Sequence, residues 1–306
     1  MPIRITKLEE LAAQQGPMHL ALGVFDGVHL GHQAVIRRAI DAAARDGGQA
    51  FVVTFSPHPI RVIAPHKAPS ALLATMDEKA EVLKTLGVDG ILVIHFDLAL
   101  AEREAEDFIS ELCTAEIRSI SVGADWRFGR NRSGDISLLS RLGERHGFRL
   151  EAVFPVMWDG ERISSTRIRQ AIRDGNFTTA AEMLGRPYEL CETVLHGKKL
   201  GRELGFPTAN LRLGERQLPA DGVWAVTVNG AQHAVANLGM RPSVDGSKRL
   251  LEVHLLDFSG DLYGQKLRVR FDSFLRHEQK FSSLDDLKKQ ITKDAAAARD
   301  FFNQKA

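Results

Sequence analysis

LGVFDGVHLGHQ, residues Leu22–Gln33, decides how the first half of this chain folds. The run His19–Phe25 is apolar and stops at Asp26-Gly27. His-Leu-Gly-His follows at His29–His32, and QAVIRRAIDAAARDGG then has helical spacing. The pattern predicts a strand, a tight loop at Asp26-Gly27, and a helix whose first turn carries two imidazoles, with Gly23, Phe25, Asp26 and Gly27 as candidate phosphate contacts. Such a loop suits an anion, because free N–H groups and the positive end of the helix dipole point at whatever sits above it. Gly27 and Gly31 let that anion approach the backbone. His29 and His32 lie three apart, share one face and can donate to phosphate oxygens. Two other readings fit an isolated pair: solvated histidines on a surface loop, or zinc, which would need three or four ligands.

The setting, a strand before and an amphipathic helix after, favours the anion. H-x-G-H in that setting resembles the nucleotidyltransferase signature shared by adenylyltransferases and class I aminoacyl-tRNA synthetases.

The bounds are those of an ordinary globular protein. The chain has 306 residues, 44% of them hydrophobic and 26% charged, which allows two domains. The net charge of +1 gives no global field directed at nucleic acid or a membrane. Cys113 and Cys191 are far apart and form no metal or redox motif, as expected of reduced residues in a cytoplasmic protein. The segment MPIRITKLEEL lacks the apolar core of a signal peptide, and no run approaches the roughly 20 apolar residues of a membrane span.

From residue 19 to about 185, candidate strands alternate with candidate helices. The strands are His19–Phe25, Ala50–Phe55, Gly90–Phe96, Ser119–Gly123 and Leu150–Pro155. The helices are Gln33–Arg45, Asp77–Leu86, Ala101–Ala115, Ser137–His146, Ser165–Asp174 and Phe177–Leu184. That grammar predicts an α/β, Rossmann-like domain with a parallel sheet wound on both faces. Its ligands would bind beyond the carboxyl ends of the strands. Three more loops fall at such ends. FVVTFSPHP brings His58 on a proline-stiffened backbone. VGADWRFGRNRSGD combines Asp125, Trp126 and Phe128 with arginines and glycines, a set suited to phosphates and rings. RISSTRIR offers Ser164, Ser165 and Thr166 as helix-cap hydroxyls, with Arg169 one turn on.

After LGRPYEL the alternation ceases. Six short runs with Gly, Pro and Asn turns predict a small antiparallel β-barrel, closed by an amphipathic terminal helix capped by Ser283. The domain limits are thus 1–185 and 186–306. Within the barrel, GKKLGRELGFPTAN places Gly197, Lys198, Arg202, Gly205 and Pro207 in a loop suited to phosphates. Thr208 and Asn210, two apart, present neutral oxygens to one face and suit Mg²⁺. In LLEVHLLDF, Leu251, Val253 and Leu255 face one side while Glu252, His254 and Leu256 face the other. Glu252 is a candidate general base if that side lines a cavity, and a wet strand face otherwise. Arg276, in FLRHEQKF, fits a rim or a binding loop.

Together these motifs resemble the bacterial bifunctional riboflavin kinase/FAD synthetase family over nearly the whole chain. The N-terminal matches are GVFDGVHLGH, TFSPHP, VGADWRFG-x-x-RSGD and ISSTRIR; the C-terminal ones are GR-x-LGFPTAN, LPADGVW, NLGMRP, LEVHLLDF, DLYG and FLR-x-E-x-KF. The resemblance implies two ATP-dependent reactions: riboflavin to FMN in the C-terminal domain, and FMN to FAD with release of pyrophosphate in the N-terminal one. It implies that His29, His32, Ser164, Ser165, Thr166 and Arg169 contact ATP phosphates. Asp125, Trp126 and Phe128 would lie near the flavin nucleotide, Thr208 and Asn210 would hold Mg²⁺, and Glu252 would be the kinase base. Val24 stands where the family usually has Asn. A kinase with an impaired adenylyl site, and a flavin-binding regulator without turnover, are the other readings of the same motifs.

Overall fold

The computed structural model describes residues 2–69, 71–195, 205–243 and 246–305. The chain falls into two compact units, Met1–Ser165 and Thr166–Ala306.

The first unit runs β1 (Ile3–Ile5), α1 (Leu8–Ala12), β2 (Met18–Leu22), α2 (Leu30–Asp46), β3 (Gln49–Ser56), α3 (Pro59–Ile63), α4 (Met76–Leu86), β4 (Gly90–His95), α5 (Leu98–Ala101), α6 (Ala105–Leu112), β5 (Ile117–Gly123), α7 (Ile136–His146) and β6 (Arg149–Val153). A small hairpin follows, β7 (Met157–Trp158) and β8 (Glu161–Arg162). Strands β1 to β6 form one parallel sheet in the order β1-β4-β3-β2-β5-β6. Side chains alternate between its faces. Leu20, Leu22, Phe51 and Val53 pack with Phe108, Ile109 and Leu139 on one side. Ala21, Val52, Ile91 and Val93 pack with Val35, Ile36 and Leu83 on the other. Burying each large side chain contributes about 1.5–3 kcal/mol. Strand β2 is central. The chain leaves it toward β3 on one side, and β5 occupies the other side, so a crevice opens at the carboxyl end of β2.

The structure ends several expected strands early, β2 by the most. β2 ends at Leu22 rather than Phe25, because Phe25 takes φ +51° and leaves the extended region. The expected helix Ala101–Ala115 is two pieces, α5 and α6, since Glu104 is extended and serves as the cap of α6.

The second unit begins along α8 (Ser165–Arg173), followed by α9 (Phe177–Leu184). Strands β9 (Glu189–Leu195), β10 (Ala209–Arg212), β11 (Gly222–Val228), β12 (Gln232–Ser243), β13 (Gly246–Leu255) and β14 (Lys266–Arg276) close into a barrel in the order β10-β13-β12-β11-β14-β9. Leu211, Leu238, Leu251 and Val253 fill it and are fully buried. The terminal helix α10 (Leu284–Asn303) lays Ala295, Ala298 and Phe302 on an outer patch of Val223, Ala225, Val235 and Leu256. Its cap is Ser283, which accepts from the Asp286 N–H at 3.1 Å. The ring of Phe177 on α9 stacks on Phe271, with centroids 5.4 Å apart.

Candidate functional site

The loop after β2 is strained. Phe25, Gly27 and Val28 all have positive φ, of 51°, 78° and 42°. For Phe and the β-branched Val this conformation costs about 1–3 kcal/mol each, and such strain concentrates at ligand sites. His29 then caps α2: its Nδ1 accepts from the His32 N–H at 3.3 Å. The proton of the neutral His29 ring is therefore on Nε2. The two imidazoles stack, with centroids 3.5 Å apart. Gly31 makes room for this, since a Cβ there would stand 3.1 Å from His29 Cε1. His32 titrates well below the usual histidine range, because burial opposes its charge and His29, Lys79 and Arg162 repel it. It is a neutral donor, and its Nδ1 is buried without a hydrogen-bond partner.

A cation lies beneath the loop. Lys79, on α4, is 6% exposed. Its Nζ donates to the Val24 carbonyl at 2.7 Å and to Thr54 Oγ1 at 3.2 Å, and Thr54 Oγ1 donates to the same carbonyl at 2.9 Å. Burial lowers the Lys79 pKa to about 8, against the opposing pull of Asp26. The buried Asp26 carboxylate accepts the Leu73 N–H at 3.0 and 3.2 Å. The Asp26 carbonyl accepts from Ser165 Oγ at 3.1 Å. Val24 thus enters the site through its backbone, whatever its side chain.

A cleft of about 200 Å³ opens above the loop, lined also by His58, Gly123, Asp125, Trp126, Val153–Val156 and Arg162. The Arg162 guanidinium grips Asp125 with both terminal nitrogens, NH2 at 3.3 Å from Oδ1 and NH1 closer to Oδ2, and that hydrogen bonding holds the carboxyl below its ordinary value. Trp126 presents a ring to the cleft and is backed by Phe128, stacked at 4.4 Å. Phe128 is itself buried in the core. His58 caps α3, accepting from the Ile60 N–H at 3.3 Å. Gly23, Phe25, Asp26, His29, Gly31, His32 and Ser165 all line the cleft. Ser164 is half-buried just before α8, while Thr166, exposed, and Arg169, buried, lie on the part of α8 that belongs to the second unit.

In the second unit, strand register builds a row. Asn210 on β10 pairs with Glu252 on β13, and Glu252 pairs with Asn237 on β12. Directly paired residues share a face, so the three side chains stand side by side. Asn237 Oδ1 is buried and has no hydrogen-bond partner. Leaving such an acceptor unmade costs about 1–3 kcal/mol. Thr208 sits one residue before β10. The preceding backbone is held from β13: His254 Nδ1 donates to the Pro207 carbonyl at 2.9 Å, and its ring meets Phe206 edge-on. Gly205 has φ +85°. Gly197, Lys198 and Arg202 lie outside the described residues. Arg276 is engaged by α10: its Nε and NH2 donate to Asp294 at 2.8 and 2.7 Å, and NH1 donates to the His277 carbonyl.

Four contributors were missed from the sequence: Lys79, Arg162, Asn237 and His254. Lys79 had a signal, because it falls on the apolar stripe of α4 with Met76, Ala80 and Leu83. Asn237 lies inside the motif NLGMRP, but only strand register sets it beside Glu252.

These features define a protein with a strained, histidine-bearing loop under a cleft at the switch point of a parallel sheet and, in the same chain, a barrel bearing an amide–carboxylate–amide row. Comparison with known proteins gives the particular family. The FAD synthetase family model matches residues 11–167, and the riboflavin kinase family model matches residues 184–302. The chain is 42% identical over 297 residues to the bifunctional riboflavin kinase/FMN adenylyltransferase of Escherichia coli K12, covering 95% of this chain and 94% of that one. It is 37% identical over 289 residues to the protein of that name in Listeria monocytogenes, covering 92% of each. A crystal structure described as the macrolide-efflux protein of Streptococcus pneumoniae shares the fold, with a TM-score of 0.83, 32% identity, and coverage of 97% and 98%. Among the described residues no helix is long and apolar enough to cross a membrane. The chain belongs to the bifunctional riboflavin kinase/FMN adenylyltransferase family.

Proposed function

We propose that this chain converts riboflavin to FMN and FMN to FAD, each step consuming ATP. The observation that carries the reading is the presence, in one chain, of two separate constellations suited to the two transfers. Each lies in a unit matched by its own family model. The working domains are 1–185 for adenylyl transfer and 186–306 for the kinase.

In the kinase the ribityl primary alcohol is a poor nucleophile. Glu252 takes its proton as the oxygen attacks the γ-phosphorus and ADP leaves. Thr208 and Asn210 would hold Mg²⁺; neutral oxygens beside a carboxylate suit a hard cation, which would offset phosphate charge. In the adenylyltransferase the attacking group is the FMN phosphate, already an anion, so no base is required. The residues align groups and stabilise charge. His29 and His32 donate to ATP phosphates as neutral imidazoles. Ser165 and the α2 N-terminus add donors, and Ser164 would complete the clamp. Trp126, with Phe128 behind it, offers a ring face to the flavin nucleotide beside Asp125 and His58. We place the reactions in the cytoplasm. Both cysteines are thiols, and burial pushes the Cys113 thiol up to about 11, which makes it unreactive.

Two variants test the division of labour. Glu252→Gln lowers FMN formation from riboflavin by about 10²–10⁴-fold while FMN is still converted to FAD. His32→Ala does the reverse, so FMN accumulates. A single variant that abolished both reactions in a folded chain would contradict it.

A further inference from the structure

We infer that Asn237 reads the flavin side chain, accepting a hydrogen bond from the secondary hydroxyl next to the alcohol that is phosphorylated. The inference rests on the kinase reading above. Asn237 is paired with Glu252 across β12 and β13, so its amide stands beside the proposed base on the same face of the barrel. Glu252 is in turn paired with Asn210, which sets the three side chains in one row. The Asn237 Oδ1 is shielded from water and accepts nothing. A buried acceptor of this kind calls for a donor.

The substrate supplies one at the required place. The terminal ribityl hydroxyl has a single hydrogen, and that hydrogen goes to Glu252. The adjacent carbon carries a second hydroxyl whose hydrogen is not consumed. With the terminal oxygen at Glu252, the neighbouring residue in the row faces the neighbouring hydroxyl. Asn237 would then fix the chain so that the terminal oxygen, and no other, points at the phosphoryl group. It is a specificity-determining residue of the kinase.

The test compares riboflavin with the analogue deoxygenated at the carbon next to the terminal alcohol. Equilibrium binding is followed by flavin fluorescence, with ADP and Mg²⁺ present. The wild-type chain should bind the analogue about tenfold more weakly. Asn237→Leu, which keeps the volume, and Asn237→Ala should both bind the two flavins equally. Asn237→Asp keeps an acceptor and should keep the preference. An Asn237 that holds a metal, or only supports the barrel, would weaken both flavins by the same factor when replaced. A preference that persists in the Leu or Ala variant therefore overturns the inference, as does a wild type that shows no preference. Binding needs no turnover, so a chain that shows the preference but makes no FMN would count against the kinase reading alone.

Discussion

Lys79 is a cation held under the strained loop by a carbonyl and a hydroxyl, with almost no water around it. Folded, it loses its proton near pH 8; unfolded, near the ordinary lysine value of 10.5. Between those values the unfolded chain binds more protons, so stability rises as pH rises through that window. The whole rise is about 3 kcal/mol. Urea unfolding of the first unit at neutral pH and at about pH 10 should show it, and Lys79→Met should abolish it. The same variant removes one of two donors to the Val24 carbonyl, leaving the Thr54 hydroxyl, and FMN-to-FAD conversion should fall about ten- to hundredfold, with FMN formation from riboflavin unchanged. An unaltered rate would remove Lys79 from the machinery. At this scale the sequence was legible where chemistry is local. His29, Gly31 and His32 sit within one turn, and the sequence places them at the start of α2. Lys79 is 55 residues from Val24 and Arg162 is 37 from Asp125. Only the folded sheet brings those pairs together.

At the scale of elements, helix α4 carries Lys79 and is fixed by a reciprocal cap. Thr75 Oγ1 accepts the Glu78 N–H at 3.2 Å, and Glu78 Oε2 accepts the Thr75 N–H at 2.8 Å. Thr75→Ala should lower stability by about 1 kcal/mol, read as a shift of the urea midpoint. Helix α10 is tied to β14 by Arg276 and Asp294, whose side chains are 22% and 7% exposed. Asp294→Ala leaves the guanidinium without its fork and should destabilise the second unit by about 3 kcal/mol. An unchanged midpoint would show that this fork does not hold the helix. Alternation of strand and helix, then six short strands, made the two element patterns readable. Strand β1 escaped because Ile3–Ile5 is three residues long, too short for any periodicity to register. The end of β2 is hidden in the sequence because Gly23–Phe25 is apolar enough to prolong a strand, while positive φ at Phe25 ends it.

At the scale of the whole molecule, two constellations of different chemistry lie in two compact units of one chain. One, in the proposed reading, offers imidazoles and helix-end donors to an anion that is already charged. The other, in the proposed reading, offers the Glu252 carboxylate to an alcohol that must lose its proton. The product of the second unit is the substrate of the first, so one chain can complete both steps. The measurement that tests this most directly is chromatography of the flavins after the pure protein is incubated with riboflavin, ATP and Mg²⁺. FAD should accumulate as the end product, with FMN appearing first. FMN that accumulates without FAD would contradict the assignment of the first unit, and unchanged riboflavin would contradict both.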